Sequence, residues 1–128
     1  VLEEEVPIFA AGLGDPARII PRARKQGMVV IGLAGTVHNA ERNRDAGVDI
    51  VVCQGTERGG HTGPVATLPL VTQAVGAVAP VPGVAAGGMV GGRGIAAALT
   101  LGAMGVWMGT AFLVPEEGGL PDVVKTIS

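Results

Sequence analysis

Asp49-Ile50-Val51-Val52-Cys53, followed by Gln54-Gly55-Thr56-Glu57-Arg58-Gly59-Gly60-His61-Thr62-Gly63, is an apolar run that opens into a glycine-rich loop. The run does not alternate between apolar and polar residues. A strand of this kind is covered on both faces, the pattern of a parallel strand between layers rather than of a sheet with one wet face. The loop carries a histidine at the C-terminal end of the strand, where α/β proteins place their chemistry.

The same alternation recurs on either side. Residues 6–11, 28–33, 83–86 and 105–108 read as further strands. Between them, helices are expected from Pro16 to about Lys25, over 37–46, over 68–78 and over 95–101. Asp15 is placed to cap the first helix with Pro16 in its first turn, and Gly27, Gly47 and Gly102 stand where helices end. Strands alternating with helices call for a parallel sheet with helical cover. Five strands and four helices suit either an open doubly wound sheet or roughly half of a (β/α)8 barrel, whose full form needs about 200 residues or more. Periodicity does not choose between them.

The bulk numbers bound the rest. A chain of 128 residues is enough for one domain, residues 1–128. It is 48% hydrophobic with 16% charged residues, and its aromatic side chains are Phe9, Phe112 and Trp107. A core of small aliphatic residues suits helices packed close on a sheet. The net charge of −2 argues against nucleic acid or an anionic membrane surface as partner. The most apolar stretch, 68–89, is interrupted by Pro69, Pro80 and Pro82, so it reads as buried helix plus buried strand rather than a membrane span. The single cysteine, Cys53, excludes an internal disulfide and suits a reducing cytoplasm. No signal peptide is recognised, and the start at Val1 with its acidic run Glu3-Glu4-Glu5 suggests part of a longer chain.

Several motifs compete for the chemistry. The turn Gly12-Leu13-Gly14-Asp15-Pro16-Ala17 matches a loose dinucleotide fingerprint. Pro16 removes a backbone donor, however, and no acidic residue stands at the next strand end, so a plain turn is expected. His61, flanked by Gly59, Gly60 and Gly63, could take a proton near neutral pH where the backbone lets a planar ligand approach. Gln54 points to the same mouth with an amide able to hydrogen-bond a cofactor ring. Glu57 and Arg58 read as solvated loop charges, and His38 as a residue of a solvated helix face. Gly87 and Gly88, then Gly91 to Gly94, could hold phosphate through backbone N–H groups and a helix N-terminus, with Gly109 and Thr110 adding a donor and a hydroxyl. Two histidines and one cysteine at unrelated spacings make no metal site, and no G-x-S-x-G elbow is present.

QGTERGGHTG together with AAGGMVGGRGIAAALTLGAMGVWMGTAFL resembles the nitronate monooxygenase family, formerly called 2-nitropropane dioxygenases. The likeness extends from about Val6 to Leu113. It implies an α/β fold, the C-terminal part of an FMN-dependent (β/α)8 TIM barrel with parallel strands alternating with helices. It implies His61 as the base acting on the carbon α to the nitro group or orienting the nitronate. It further implies that Gln54, Gly59 and Gly60 lie along the flavin, and that Gly87, Gly88, Gly109 and Thr110 hold its phosphate. The activity implied is oxidation of alkyl nitronates with O2 to carbonyl compounds and nitrite. Relatives that reduce enoyl groups on acyl carrier protein with NAD(P)H share both motifs, and a half-barrel without activity of its own is a further alternative. Some family members place a lysine after the strand that here ends near Ala34; this chain has none there. The family's N-terminal strands and C-terminal cover are absent, so open sheet edges and apolar helix faces are expected. The chain is expected to need the other barrel half, or a partner copy, to bind FMN well.

Overall fold

The computed structural model describes residues 6–12, 16–59, 63–112 and 119. Among these residues five strands, β1 (Ile8–Ala11), β2 (Val29–Ala34), β3 (Ile50–Gln54), β4 (Gly83–Ala86) and β5 (Gly105–Trp107), alternate with four helices. The helices are α1 (Ile20–Lys25), α2 (Val37–Ala46), α3 (Thr67–Ala77) and α4 (Gly91–Thr100). All four strand pairings are parallel, and the order in the sheet is the order in the chain, β1-β2-β3-β4-β5. A doubly wound sheet reverses its strand order at a switch point; a barrel advances one strand at a time. The described strands advance without reversal, which resolves the choice that periodicity left open in favour of the barrel progression.

Alternate residues of each strand face the helices. Val30, Ala34, Val51, Cys53 and Ala85 pack there with Ala23 of α1, Ala40 of α2, Leu70, Val71 and Ala74 of α3 and Ala98 of α4. Small residues on both sides let the layers approach, and Gly32 shows how closely: a Cβ there would lie 2.7 Å from Cγ of Asn43. Asn43 is 6% exposed and donates to the Leu33 carbonyl at 3.1 Å, so the one amide that α2 buries finds a partner on β2. Asp49, just before β3, exchanges bonds with β2: its Oδ2 accepts from the Val30 N–H at 2.7 Å and its own N–H donates to the Val30 carbonyl at 2.8 Å.

The opposite face of the sheet is apolar and lies outside this cluster. Ile8 is 54% exposed and Trp107 44%, and β1 and β5 are the two edges of the sheet. Leu99 of α4 and Met104 are also exposed. These are the open edges and apolar faces that the family likeness predicts.

Element boundaries moved in two places. The helix expected from Pro16 begins as a 3-10 turn, Pro16–Arg18, with α1 starting only at Ile20. Pro21 explains this: it tolerates a first helical turn, but its ring would clash with the carbonyl four residues back if the helix ran continuously from 16. Asp15, the expected cap, lies outside the described residues, as do Leu13 and Gly14 of the fingerprint turn. Helix α4 starts at Gly91 rather than near Ile95, so the glycines belong to its first turn instead of preceding it.

Candidate functional site

Parallel register brings three strand ends into one row: Gln54 pairs with Ala86, and Ala86 with Trp107. At the usual strand spacing the row is about 10 Å across. A glycine-bearing turn follows each end, at Gly55 after β3, at Gly87-Gly88 after β4 and at Gly109 after β5.

The loop after β3 has a fixed stem. The Thr56 N–H donates to the Val65 carbonyl at 3.0 Å, and the Gly55 N–H donates to the Ala86 carbonyl at 3.1 Å, carrying the sheet one residue further. Where the loop returns, Gly63 lies against the β2–α2 turn; a Cβ on it would sit 2.7 Å from the Gly35 carbonyl oxygen. Gln54 is partly buried and its Oε1 accepts from Nη1 of Arg58. Nε of Arg58 is buried without a hydrogen-bond partner among the described residues. Gly59 is exposed, and among the described residues beyond its chain neighbours no atom lies within 4 Å of where a Cβ would be. Gly60 and His61 lie outside the described residues.

Glu57 is exposed, as expected of a loop charge, but it is also held by hydrogen bonds that the expectation lacked. Its Oε2 accepts from the Thr67 N–H at 2.9 Å, from the Thr67 hydroxyl at 2.7 Å and from the Thr56 hydroxyl at 3.2 Å. Helix α3 needs such an acceptor, because Ala66 at its N-cap has no side-chain oxygen to offer. The hydrogen bond from Thr67 is the largest cause holding the Glu57 carboxyl below its ordinary range. Arg58 also differs from expectation: it bonds Gln54 rather than standing free in solvent. His38, by contrast, is exposed on α2 as expected.

After β4, Gly87 and Gly88 have φ of 97° and 63°, a conformation that side-chain-bearing residues rarely adopt. Val90, the N-cap of α4, supplies no side-chain acceptor to the first turn of the helix. After β5, Gly109 is exposed, and its carbonyl accepts from the Phe112 N–H at 2.9 Å in the 3-10 turn Thr110–Phe112. Cys53 is fully buried in the helix-facing core, and burial pushes its thiol up to about 11, so it remains protonated and inert at neutral pH. Among the described residues no group of three or more His, Cys, Asp or Glu could hold a metal, and no helix is long and apolar enough to cross a membrane.

Sequence reasoning missed Thr67. It is 2% exposed and sits where the β3 loop, the β4 turn and α3 meet. A buried threonine at the first position of an uncapped helix is a weak hint, and its partner lies ten residues upstream.

A one-way parallel sheet with glycine turns along one end defines part of a (β/α)8 barrel with its ligand face toward the C-terminal strand ends. The chain belongs to the nitronate monooxygenase family, whose model matches residues 1–127. A Mycobacterium tuberculosis protein bearing a provisional monooxygenase name is 51% identical over 122 residues, covering 94% of this chain and 32% of its own length. The solved structure of an M276A variant of FabK from Thermotoga maritima matches with a TM-score of 0.92 at 38% identity, over 98% of this chain and 42% of that one. The nitroalkane oxidase of Streptomyces ansochromogenes matches with a TM-score of 0.83 at 36% identity, over 98% of this chain and 39% of that one. These solved relatives are TIM barrels, and the chain spans well under half of their length.

Proposed function

We propose that these residues form the cofactor- and base-bearing part of an FMN-dependent oxidoreductase that oxidises alkyl nitronates with O2 to carbonyl compounds and nitrite. The observation that carries this is the turn after β4, where Gly87 and Gly88 both hold positive φ beside the row of strand ends. Glycine turns of this kind leave backbone N–H groups free of a covering side chain, which suits a site for an anion. The family match supports the oxidoreductase class, and the likeness to a nitroalkane oxidase supports the substrate.

The residues present fit a flavin phosphate. Among the described residues beyond the chain neighbours, a Cβ on Gly59, Gly92 or Gly109 would meet nothing within 4 Å, so these three glycines leave room for a ligand, while Gly87 and Gly88 pack against Thr67 and Glu57. Bound FMN would supply the electron acceptor for the nitronate and the electron donor for O2. Gly87, Gly88, Gly109 and Thr110 would hold its phosphate, and Gln54, Gly59 and Gly60 its ring and ribityl portion. His61 would take the proton from the carbon α to the nitro group, or hold the nitronate in place. The apolar sheet face with Ile8 and Trp107 would pair with the other barrel half or with a partner copy.

The test is a visible spectrum of the full-length protein after FMN addition and desalting, together with turnover assays on it. Retained flavin bands and O2 consumption with an alkyl nitronate are expected. A full-length protein that binds no flavin overturns the cofactor assignment. Consumption of NAD(P)H with an enoyl thioester, and no turnover of nitronates, overturns the substrate and makes the protein an enoyl reductase.

A further inference from the structure

We propose that Glu57 and Thr67 form a latch that holds the loop after β3 and the turn after β4 in a single arrangement, which makes Glu57 a positioning residue for both. The latch starts with a carboxylate. Its Oε2 takes two hydrogen bonds from one residue, the N–H of Thr67 at 2.9 Å and its hydroxyl at 2.7 Å. Bonds to an ionised acceptor are about twice as strong as neutral ones, and this pair ties the outgoing limb of the β3 loop to the start of α3.

Thr67 then meets the neighbouring strand. Its hydroxyl oxygen lies 3.4 Å from the Ala86 carbonyl, and a Cβ on Gly87 would come within 2.9 Å of that same oxygen. The hydroxyl has one proton, and the shorter, charge-assisted bond to Glu57 claims it. Glu57 reaches the β4 turn as well, since a Cβ on Gly88 would lie 3.0 Å from Cβ of Glu57. Gly55 completes the junction, with its N–H on the Ala86 carbonyl and no room for a side chain beside Thr67. The Glu57 carboxylate therefore binds Thr67, while the Thr67 hydroxyl lies beside Gly87 and the Cβ of Glu57 beside Gly88, so the two side chains sit between both segments. A displacement of the β3 loop strains the β4 turn, and the reverse.

The consequence for catalysis rests on the function proposed above. If the β4 turn carries the flavin phosphate and the β3 loop carries His61, the latch fixes the distance between cofactor and base. Enzyme rates are sensitive to such placement. The latch would then couple flavin affinity to turnover, although neither residue need touch the substrate.

The experiment compares wild type, Thr67→Val, Thr67→Ser and Glu57→Ala in the full-length protein, with Asn43→Ala as a control that weakens the same layer away from the site. Amide hydrogen exchange is read in segments 55–59 and 87–90, and the FMN dissociation constant is read by flavin fluorescence. Faster exchange in both segments is expected for Thr67→Val and Glu57→Ala, with the serine variant restored to wild type. FMN binding should weaken about tenfold in the same two variants, with kcat falling and KM for substrate unchanged. Asn43→Ala should lower the melting temperature and leave both segments and FMN affinity as in wild type. Acceleration confined to 55–59, or exchange in Asn43→Ala equal to that in Thr67→Val, overturns the latch. Should Glu57→Ala not fold, the nearly isosteric Thr67→Val and its serine counterpart decide the matter. A wild-type protein without affinity for FMN overturns the flavin assignment, while the exchange data still decide whether the latch exists.

Discussion

A Cβ added to Gly55 would lie 2.2 Å from the hydroxyl oxygen of Thr67 and 2.4 Å from its Cα and backbone nitrogen. The last two are main-chain atoms of the first residue of α3, which cannot rotate aside as a flexible side chain can. Gly55→Ala is therefore expected to destabilise the fold by about 3 kcal/mol, the upper end for overpacking a tight site. Denaturant unfolding of the full-length protein checks this. A loss below about 0.5 kcal/mol, the range of a neutral surface change, would mean that α3 can retreat from β3.

The turn after β4 should respond differently. Gly88→Ala places a side chain at φ 63° with a contact of 3.0 Å to Cβ of Glu57. The left-handed conformation itself costs roughly 1–2 kcal/mol for an L-residue. The variant is expected to fold and, if this turn holds the phosphate as proposed, to lose most of its affinity for FMN, because relieving the strain would move the backbone N–H groups that the proposal relies on. Equilibrium dialysis with FMN is the measurement, and wild-type affinity in Gly88→Ala would remove this turn from the phosphate site.

Much of this architecture was legible in the chain itself. Buried strands such as Ile50–Gln54 lack alternation because both faces are covered, and the glycines that follow mark each strand end. Strand order was not legible, since an apolar run says nothing about which neighbour it pairs with. Pro21 was visible, but its effect on the helix before it depends on where the first turn starts. The contact between Glu57 and Thr67 was hidden for a similar reason. Capping is usually local, from the N-cap residue or the first turn, and Ala66 offers nothing. The chain instead caps α3 from a neighbouring loop, a contact that only the folded path of residues 55–67 creates.

The acid limb of stability carries a signature of Glu57. Hydrogen bonds from Thr67 lower its pKa in the folded state from the ordinary value of 4.5. A group with a depressed folded pKa stabilises the fold above its unfolded value, and that contribution is lost as pH falls through the folded value. Wild-type stability should therefore decline below about pH 4.5, and Glu57→Gln should show a shallower decline over the same interval. Melting temperatures from pH 6 downward, taken in parallel for the two proteins, make the comparison; equal slopes would mean that the carboxylate gains nothing from its partners.

Cys53 offers a probe of global rather than local opening. It is fully buried at the centre of the sheet, and burial raises its thiol to about 11. At pH 8 it should resist a thiol reagent for as long as the fold persists, and react at the rate of an ordinary cysteine in denaturant. The raised value also means that its contribution to stability, complete below the unfolded pKa of 9.0, is lost as pH climbs toward 11. Rapid labelling of the native protein would show that the sheet opens without unfolding.

The role assigned to His61 can be separated from cofactor binding by the choice of substrate. A neutral nitroalkane must lose the proton on its α carbon before it can be oxidised, whereas a preformed nitronate has already lost it. General-base catalysis by a positioned side chain contributes about 10²–10⁴-fold. In the full-length protein, His61→Asn should retain FMN and lose on the order of 10²-fold or more in turnover of neutral nitroalkanes. It should lose far less with nitronates supplied as such. Equal losses on both substrates would make His61 a nitronate-orienting residue instead of a base. Undiminished turnover of the neutral substrate would place the base elsewhere in the protein.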